Sequence, residues 1–279
     1  MADVIHRGIG FLSNLNYKHG LRPAAESAFT HSIMSASRPL AIIAGVGPGT
    51  GRALALRFSK SYTIVALARK PSNFASIVDE ITTGGGNAYG VQADITNPNS
   101  ITAAFSEIAK KYPNLPTAVA VYNVAAFIHK PFQELTLEDI DLGLDTGVRG
   151  AFLFSQQVVP GLLKAAKEKS TEHPPTLLFT GATASVKASA CFAGFAIGKW
   201  GARALSQSLA KEYGKDGVHV GHVVVDGVID TPAAEAVLND VEHGKIDTEG
   251  LAETYWHLHT QPRAAFTWEV DVRTCVEKW

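Results

Sequence analysis

The residues with the clearest chemical potential form a glycine-rich run, Gly45-Val46-Gly47-Pro48-Gly49-Thr50-Gly51, between the apolar segment Ala41–Ala44 and the helix-like Arg52-Ala53-Leu54-Ala55-Leu56. A strand, a glycine turn and a helix in that order let the main chain bend sharply and approach a pyrophosphate. The helix start then aims unpaired N–H groups and its positive dipole end at the anion. A tight turn with no ligand has the same composition; the position after the first core strand favours the binding reading. At the end of the next apolar segment, where dinucleotide folds that prefer NAD carry an acid for the ribose hydroxyls, the chain has Arg69 and Lys70. A carboxylate repels a 2′-phosphate and a guanidinium grips it bidentately, so this position predicts NADP(H) in preference to NAD(H). Two solvated charges at a strand end are the alternative.

Other residues admit two readings each. His129 follows the fourth apolar segment on the side where doubly wound sheets bind ligands, and is either a substitute proton donor or a solvated loop histidine. His257-Leu258-His259 would suit a metal on a strand, but no third ligand accompanies the pair and no metal site is expected. Neighbouring Tyr255 and Trp256 read as the lining of an apolar pocket or the cover of a subunit contact. Cys191 either lines the same pocket or packs neutrally.

Positioning these residues requires a regular scaffold. From Pro39 onward, Ala41–Ala44, Tyr62–Ala68, Ala88–Gln92, Thr117–Asn123, Thr176–Thr180 and Val218–Asp226 read as strands. Between them Gly51–Ser59, Asn73–Thr83, Ile101–Lys110, Leu137–Lys169 and Phe195–Tyr213 read as helices. Strands apolar on both faces and separated by helices call for a parallel sheet between helix layers, a doubly wound, Rossmann-type α/β domain. Residues 1–38 are set apart as an N-terminal extension, because residues 1–33 lack the periodicity and Gly10, Gly20 and Pro23 interrupt any helix. A floppy or partly docked tail and a mitochondrial presequence are the two readings. Asp3, Glu26 and the lack of an arginine-rich stripe count against the second.

Composition narrows the function classes. With 46% hydrophobic and 18% charged residues the chain is globular, and 25 basic against 26 acidic residues leave no electrostatic reason to expect nucleic acid or an anionic membrane as partner. The longest apolar stretch, Thr117 to Ile128, falls short of the roughly 18 to 20 residues of a spanning helix. Two cysteines, Cys191 and Cys275, exclude a disulfide framework or a Cys-rich metal site and predict a reducing, cytoplasmic setting.

With Asp94 after the third strand and Asn123 closing the fourth, the chain from about Pro39 resembles the short-chain dehydrogenase/reductase superfamily. Ala44–Gly51 stands where that family has Thr-Gly-x-x-x-Gly-x-Gly, with Gly45, Gly49 and Gly51 in place. The resemblance implies that Asp94 contacts the adenine ring. It also implies that Asn123, within Tyr122-Asn123-Val124-Ala125, steadies the central strand. Asp226-Gly227-Val228-Ile229-Asp230-Thr231 is similar to the family's Pro-Gly-x-Val-x-Thr segment, which places the Ile229 main chain and Thr231 at the nicotinamide carboxamide.

The catalytic positions differ. The family's Tyr-x-x-x-Lys pair reads Phe195-Ala196-Ile197-Gly198-Lys199, Ala182 stands at the serine, and Gly147 stands at the asparagine before Gly150-Ala151-Phe152. The pattern resembles a divergent branch in which Phe replaces the tyrosine and the lysine persists. A phenyl ring has no ionisable proton, and losing a general acid costs on the order of 10² to 10⁴ in rate. Gly147 can preserve the helix distortion and main-chain carbonyl that the resemblance assigns to the asparagine. Thr183 can supply a hydroxyl beside Ala182. Lys199 either grips the nicotinamide ribose or has become the acid or base itself, its pKa lowered beside an apolar ring. Phe195, Ala182 and His129 are expected to line the substrate pocket. The resulting expectation is an NADP(H)-binding oxidoreductase for an apolar carbonyl or conjugated alkene. A nonredox isomerase, cyclase or lyase and a catalytically dead nucleotide-binding protein are the alternatives. By resemblance it is a homodimer or homotetramer joined through the long helices.

Overall fold

Strands whose residues alternate between two apolar clusters must be covered on both faces, and the first strand shows the principle. In β1 (Leu40–Ala44), Ala41 and Ile43 belong to one cluster while Leu40, Ile42 and Ala44 belong to the other. The computed structural model describes residues 38–235, 237, 238 and 241–278. The reading of the N-terminal extension therefore lies outside the described residues, except for Arg38, whose Nη1 donates to the Ser59 carbonyl at 3.0 Å.

The strands β2 (Thr63–Ala68), β3 (Ala88–Gln92), β4 (Thr117–Tyr122), β5 (Thr176–Thr180), β6 (His219–Asp226) and β7 (Glu269–Arg273) complete a parallel sheet of order β3-β2-β1-β4-β5-β6-β7. Winding outward in both directions from β1 leaves a crevice between β1 and β4 at their carboxyl ends, where such sheets bind ligands. Helices α1 (Thr50–Ser59) and α2 (Ala75–Thr83) cover one face through Leu54, Phe58, Ile77 and Ile81. Helix α3 (Pro98–Lys111) covers the other through Ile101 and Ile108. Its start is set by Asn97, whose side chain accepts from the main-chain N–H groups of Asn99 and Ser100. This is the doubly wound single domain that the sequence pattern predicts. No helix among the described residues is long and apolar enough to cross a membrane.

The structure corrects three element readings. The helix expected over Leu137–Lys169 is two helices, α4 (Leu137–Leu144) and α5 (Gly150–Glu168), joined by a π-turn over Asp145–Arg149. The turn lies where main chains meet: a Cβ on Gly147 would sit 2.3 Å from the Cα of Gly198 in α6 (Ala193–Tyr213), and one on Gly143 would sit 2.3 Å from the Gly194 carbonyl oxygen. Side chains cannot fit between α4 and α6, so apolar periodicity carried no sign of the break. A helix α7 (Thr248–His259), packed on α1, and the edge strand β7 were not anticipated. β7 reads Glu-Val-Asp-Val-Arg and is only partly buried, so it lacks the continuous apolar run of the inner strands.

Gly147→Ala is expected to lower the unfolding free energy by about 1–3 kcal/mol, as overpacking does. Urea titration should show an earlier midpoint at unchanged slope. An unmoved midpoint would mean that the π-turn and α6 part freely.

Candidate functional site

Glycines shape the crevice. Gly45 ends β1 at φ +87°, and a Cβ there would lie 2.3 Å from the Asn123 carbonyl oxygen; one on Gly51 would lie 2.6 Å from the Gly45 oxygen. Only a residue without a Cβ turns the chain so tightly at a positive φ. Asn123 locks the turn from the β4 side, its Nδ2 donating to the Gly45 carbonyl at 3.0 Å and its main-chain N–H to Ala44 at 2.9 Å. Gly49 starts α1 with no side-chain cap among the described residues, which leaves the helix's positive end open to the crevice.

Beneath this turn runs a cleft of about 350 Å³, lined by Gly45–Gly47, Arg69, Asn73, Asp94–Thr96, Asn123–Ala126, Leu142 and Thr146. Arg69 is exposed at its rim. Asp94 is fixed inside, its Oδ1 accepting from the Thr96 N–H at 3.0 Å and the Thr96 hydroxyl at 2.8 Å. Ile229 is tied to Ile246 by an isolated bridge. Thr231 packs on the glycine turn: a Cβ at Gly49 would meet its methyl group at 2.5 Å. A tight glycine turn whose backbone packs too closely for a Cβ at Gly45 or Gly51, an uncapped helix start and a guanidinium at the rim suit a phosphate-bearing dinucleotide.

The residues that the resemblance points to for catalysis lie one strand over. Lys199 is buried on α6 and its Nζ donates to the Thr180 carbonyl at 2.8 Å, 5.7 Å from the centre of the Phe195 ring. Burial pushes its pKa down to about 8. Ala182 offers no hydroxyl, and its N–H donates to the fully buried Ser185 Oγ at 3.0 Å. The Thr183 hydroxyl, expected to replace the lost serine, instead donates to Asp226 Oδ1 at 2.5 Å, and that carboxylate also pairs with Arg273 at 3.0 Å. Phe195 belongs to an aromatic mouth. Phe127 lies 5.5 Å from it and Phe192 lies 6.4 Å from it, ring centre to ring centre, with exposed His129 tilted against Phe192 at 4.6 Å. Cys191 holds a left-handed φ of +66°, and its carbonyl accepts from the Lys130 N–H at 2.9 Å, joining the loop after β4 to the loop before α6.

The His257-His259 reading is corrected. Both lie on α7, not on a strand, and His259 is buried with Tyr62 Oη at 2.6 Å and Thr176 Oγ1 at 2.9 Å. Burial holds its imidazole well below the usual range, to about 3. Tyr255 is likewise core, sharing a hydrogen bond with Thr180 Oγ1 at 2.7 Å, and Trp256 lies under the Arg57 guanidinium at 4.0 Å. Among the described residues no three His, Cys, Asp or Glu side chains converge as metal ligands.

Sequence reasoning passed over Tyr122 and His222. The buried Tyr122 hydroxyl donates to the Thr146 carbonyl at 2.5 Å and pins the π-turn. Its signal was a tyrosine in the motif position where an asparagine was expected. His222 lies buried in mid-β6, three residues after a second buried histidine, His219, and the strand's sequence gives no sign of its partners.

Glycine turn, cleft and open sheet edge define a dinucleotide-binding α/β protein. Residues 39–242 match the family model described as short chain dehydrogenase, and the chain belongs to that family. It is 27% identical over 198 residues to a short-chain dehydrogenase/reductase of Armillaria gallica, across 69% of this chain and 72% of that one. A short-chain dehydrogenase from Rhodopseudomonas palustris shares the fold with a TM-score of 0.69 and 26% identity, over 85% of this chain and 99% of that one. A metagenomic short-chain oxidoreductase in complex with NADP matches in fold with a TM-score of 0.70 at 20% identity, over 85% and 97% of the two chains.

The lysine makes a prediction about stability. Its folded pKa of about 8 lies below the unfolded value of about 10.4, so the unfolded chain binds more protons between these pH values and stability rises with pH across that window. Lys199→Met should therefore stabilise the protein at pH 7 by about 3 kcal/mol, an advantage that shrinks toward pH 10.5. Urea denaturation at the two pH values reads the difference. A constant difference would place the lysine's burden elsewhere than in its charge.

Proposed function

We propose that this short-chain dehydrogenase is an NADP(H)-dependent oxidoreductase that reduces an apolar carbonyl or conjugated alkene, with Lys199 as proton source in place of the phenol. One observation carries the reading: at the position where the family's phenol would act there is an apolar ring, and beside it a buried ammonium titrating near pH 8. A general acid works best when its pKa lies near the operating pH.

When bound, the nicotinamide nucleotide supplies the hydride. In this reading the glycine turn and the start of α1 hold its pyrophosphate, Arg69 the 2′-phosphate and Asp94 the adenine. The Ile229 main chain and Thr231 meet the carboxamide. Phe127, Phe192 and Phe195 present an apolar aromatic surface that favours a flat apolar acceptor. Lys199 Nζ gives one proton to the acceptor as the hydride arrives, and the neutral amine recovers a proton from solvent. A conjugated alkene suits this arrangement better than a ketone, because it needs less help at oxygen. Exposed Phe152 on α5 and Ile197 and Trp200 on α6 support a homodimer or homotetramer formed through these helices. A cytoplasmic setting fits the two free thiols.

The test follows NADPH and product together over a panel of planar enones and ketones. One NADPH consumed per product is expected. Turnover with no change in nucleotide supports a nonredox enzyme, and binding with no turnover supports a non-catalytic protein. Phe195→Tyr should raise ketone reduction on the order of 10² to 10⁴-fold. In a parallel titration, Arg69→Ala should lose roughly 10- to 100-fold in affinity for NADP(H) while NAD(H) binding changes little. An unchanged preference would contradict the role given to Arg69.

A further inference from the structure

β6 carries two buried histidines, His219 at its start and His222 in mid-strand. His222 is fully buried, in register with Phe179 of β5 and Glu269 of β7. Its Nδ1 lies 3.0 Å from Glu269 Oε2, and the same carboxylate takes Arg203 Nε at 2.6 Å and Nη2 at 2.8 Å. The Arg203 guanidinium keeps Glu269 ionised below the usual carboxylate range, and burial pulls His222 down to about 4, so the imidazole is neutral at physiological pH. A neutral ring against a carboxylate carries its proton on Nδ1, and Nε2 then presents a lone pair. No donor among the described residues reaches that nitrogen. In the buried His259 both ring nitrogens have partners, whereas His219 on the same strand also has one nitrogen, Nδ1, without a partner among the described residues.

The orphan nitrogen has a direction. A Cβ on Gly181 would lie 2.5 Å from both Cε1 and Nε2 of His222, so this edge of the ring rests on the residue after Thr180. The Thr180 carbonyl receives the Lys199 ammonium, and the Thr180 hydroxyl turns the other way, to Tyr255 on α7. The imidazole edge rests on Gly181 and the ammonium on the Thr180 carbonyl, neighbouring residues at the carboxyl end of β5, and the lysine's charge disfavours protonation of His222. An ammonium has three donors, of which Thr180 takes one; the imidazole has an acceptor with nothing to accept. One ordered water lying between the two groups would satisfy both.

We propose that His222 is a positioning residue for Lys199: the imidazole, oriented by Glu269 and Arg203, supplies through one bridging water a second acceptor for the buried ammonium and so sets the pH at which Lys199 holds its proton. The charged groups acting on the ring are Glu269 from β7 and Lys199 and Arg203 from α6; its β5 neighbour Phe179 carries none. An acceptor of the charged form raises a lysine pKa against the effect of burial, so removing it lowers the midpoint further.

Full-length protein labelled with ¹⁵N-histidine and ¹³C-lysine, free of nucleotide, tests this by NMR. His222 should stay in the neutral Nδ1–H form from pH 6 to 10, with an Nε2 shift step that coincides with the Lys199 titration and vanishes in Lys199→Met. His222→Val should lower the Lys199 midpoint by about one pH unit, and His222→Gln, whose amide oxygen can accept, should restore part of it. A flat Nε2 response through the Lys199 titration would overturn the proposal, as would a wild-type Lys199 midpoint in folded His222→Val or His222→Gln. The kinetic arm rests on Lys199 as proton source: the basic limb of NADPH-dependent turnover should follow the NMR midpoint. A shifted midpoint with a fixed limb upholds the coupling and overturns the proton-source reading instead.

Discussion

Backbone touching backbone at the carboxyl edge of the sheet is the constraint on which the site rests. Gly45 lies against the Asn123 carbonyl and Gly147 against Gly198, with no room for a Cβ at either contact. The first contact shapes the turn that the proposed function assigns to a pyrophosphate. The second seats α6 hard against the π-turn, which fixes the depth of Lys199 beneath the end of β5. A packed interior does not deform continuously, so both contacts hold the reacting groups at set positions, and Tyr122 adds a hydrogen bond that keeps the π-turn in place.

At that edge stand Ala182 and Phe195, where the resemblance to the family implies a serine and a tyrosine, and the Thr183 hydroxyl donates to Asp226. What remains beside the aromatic mouth is an ammonium whose burial lowers its pKa toward neutrality. Burying a charge costs stability, and a site that keeps such a group uses it or compensates it. The Thr180 carbonyl supplies part of that compensation.

Much of this was legible in the sequence, for physical reasons. Inner strands such as Ala118–Val121 are apolar on both faces, and that pattern admits little besides a covered parallel sheet. The glycine turn, Arg69, Asp94 and Asn123 line one cleft because each sits at the end of a strand, and strand ends in this topology converge. The π-turn was hidden, since it depends on glycines of two helices separated in sequence. β7 was hidden by its charged, half-exposed residues. The strand setting considered for His257 and His259 does not hold, because the segment is helical and an i, i+2 spacing gives a shared face only on a strand. His222 was out of reach, because its meaning comes from Glu269, Gly181 and Lys199, which the fold alone brings together.

A crystal structure of the protein grown with NADPH tests the central claim, that a nucleotide seat persists here without the phenol. The account predicts density for the adenosine 2′-phosphate at Arg69, the pyrophosphate on the Gly45–Gly51 turn and the nicotinamide beside Phe195, within reach of Lys199. An empty cleft at saturating NADPH, or a nucleotide bound away from Lys199, would contradict it.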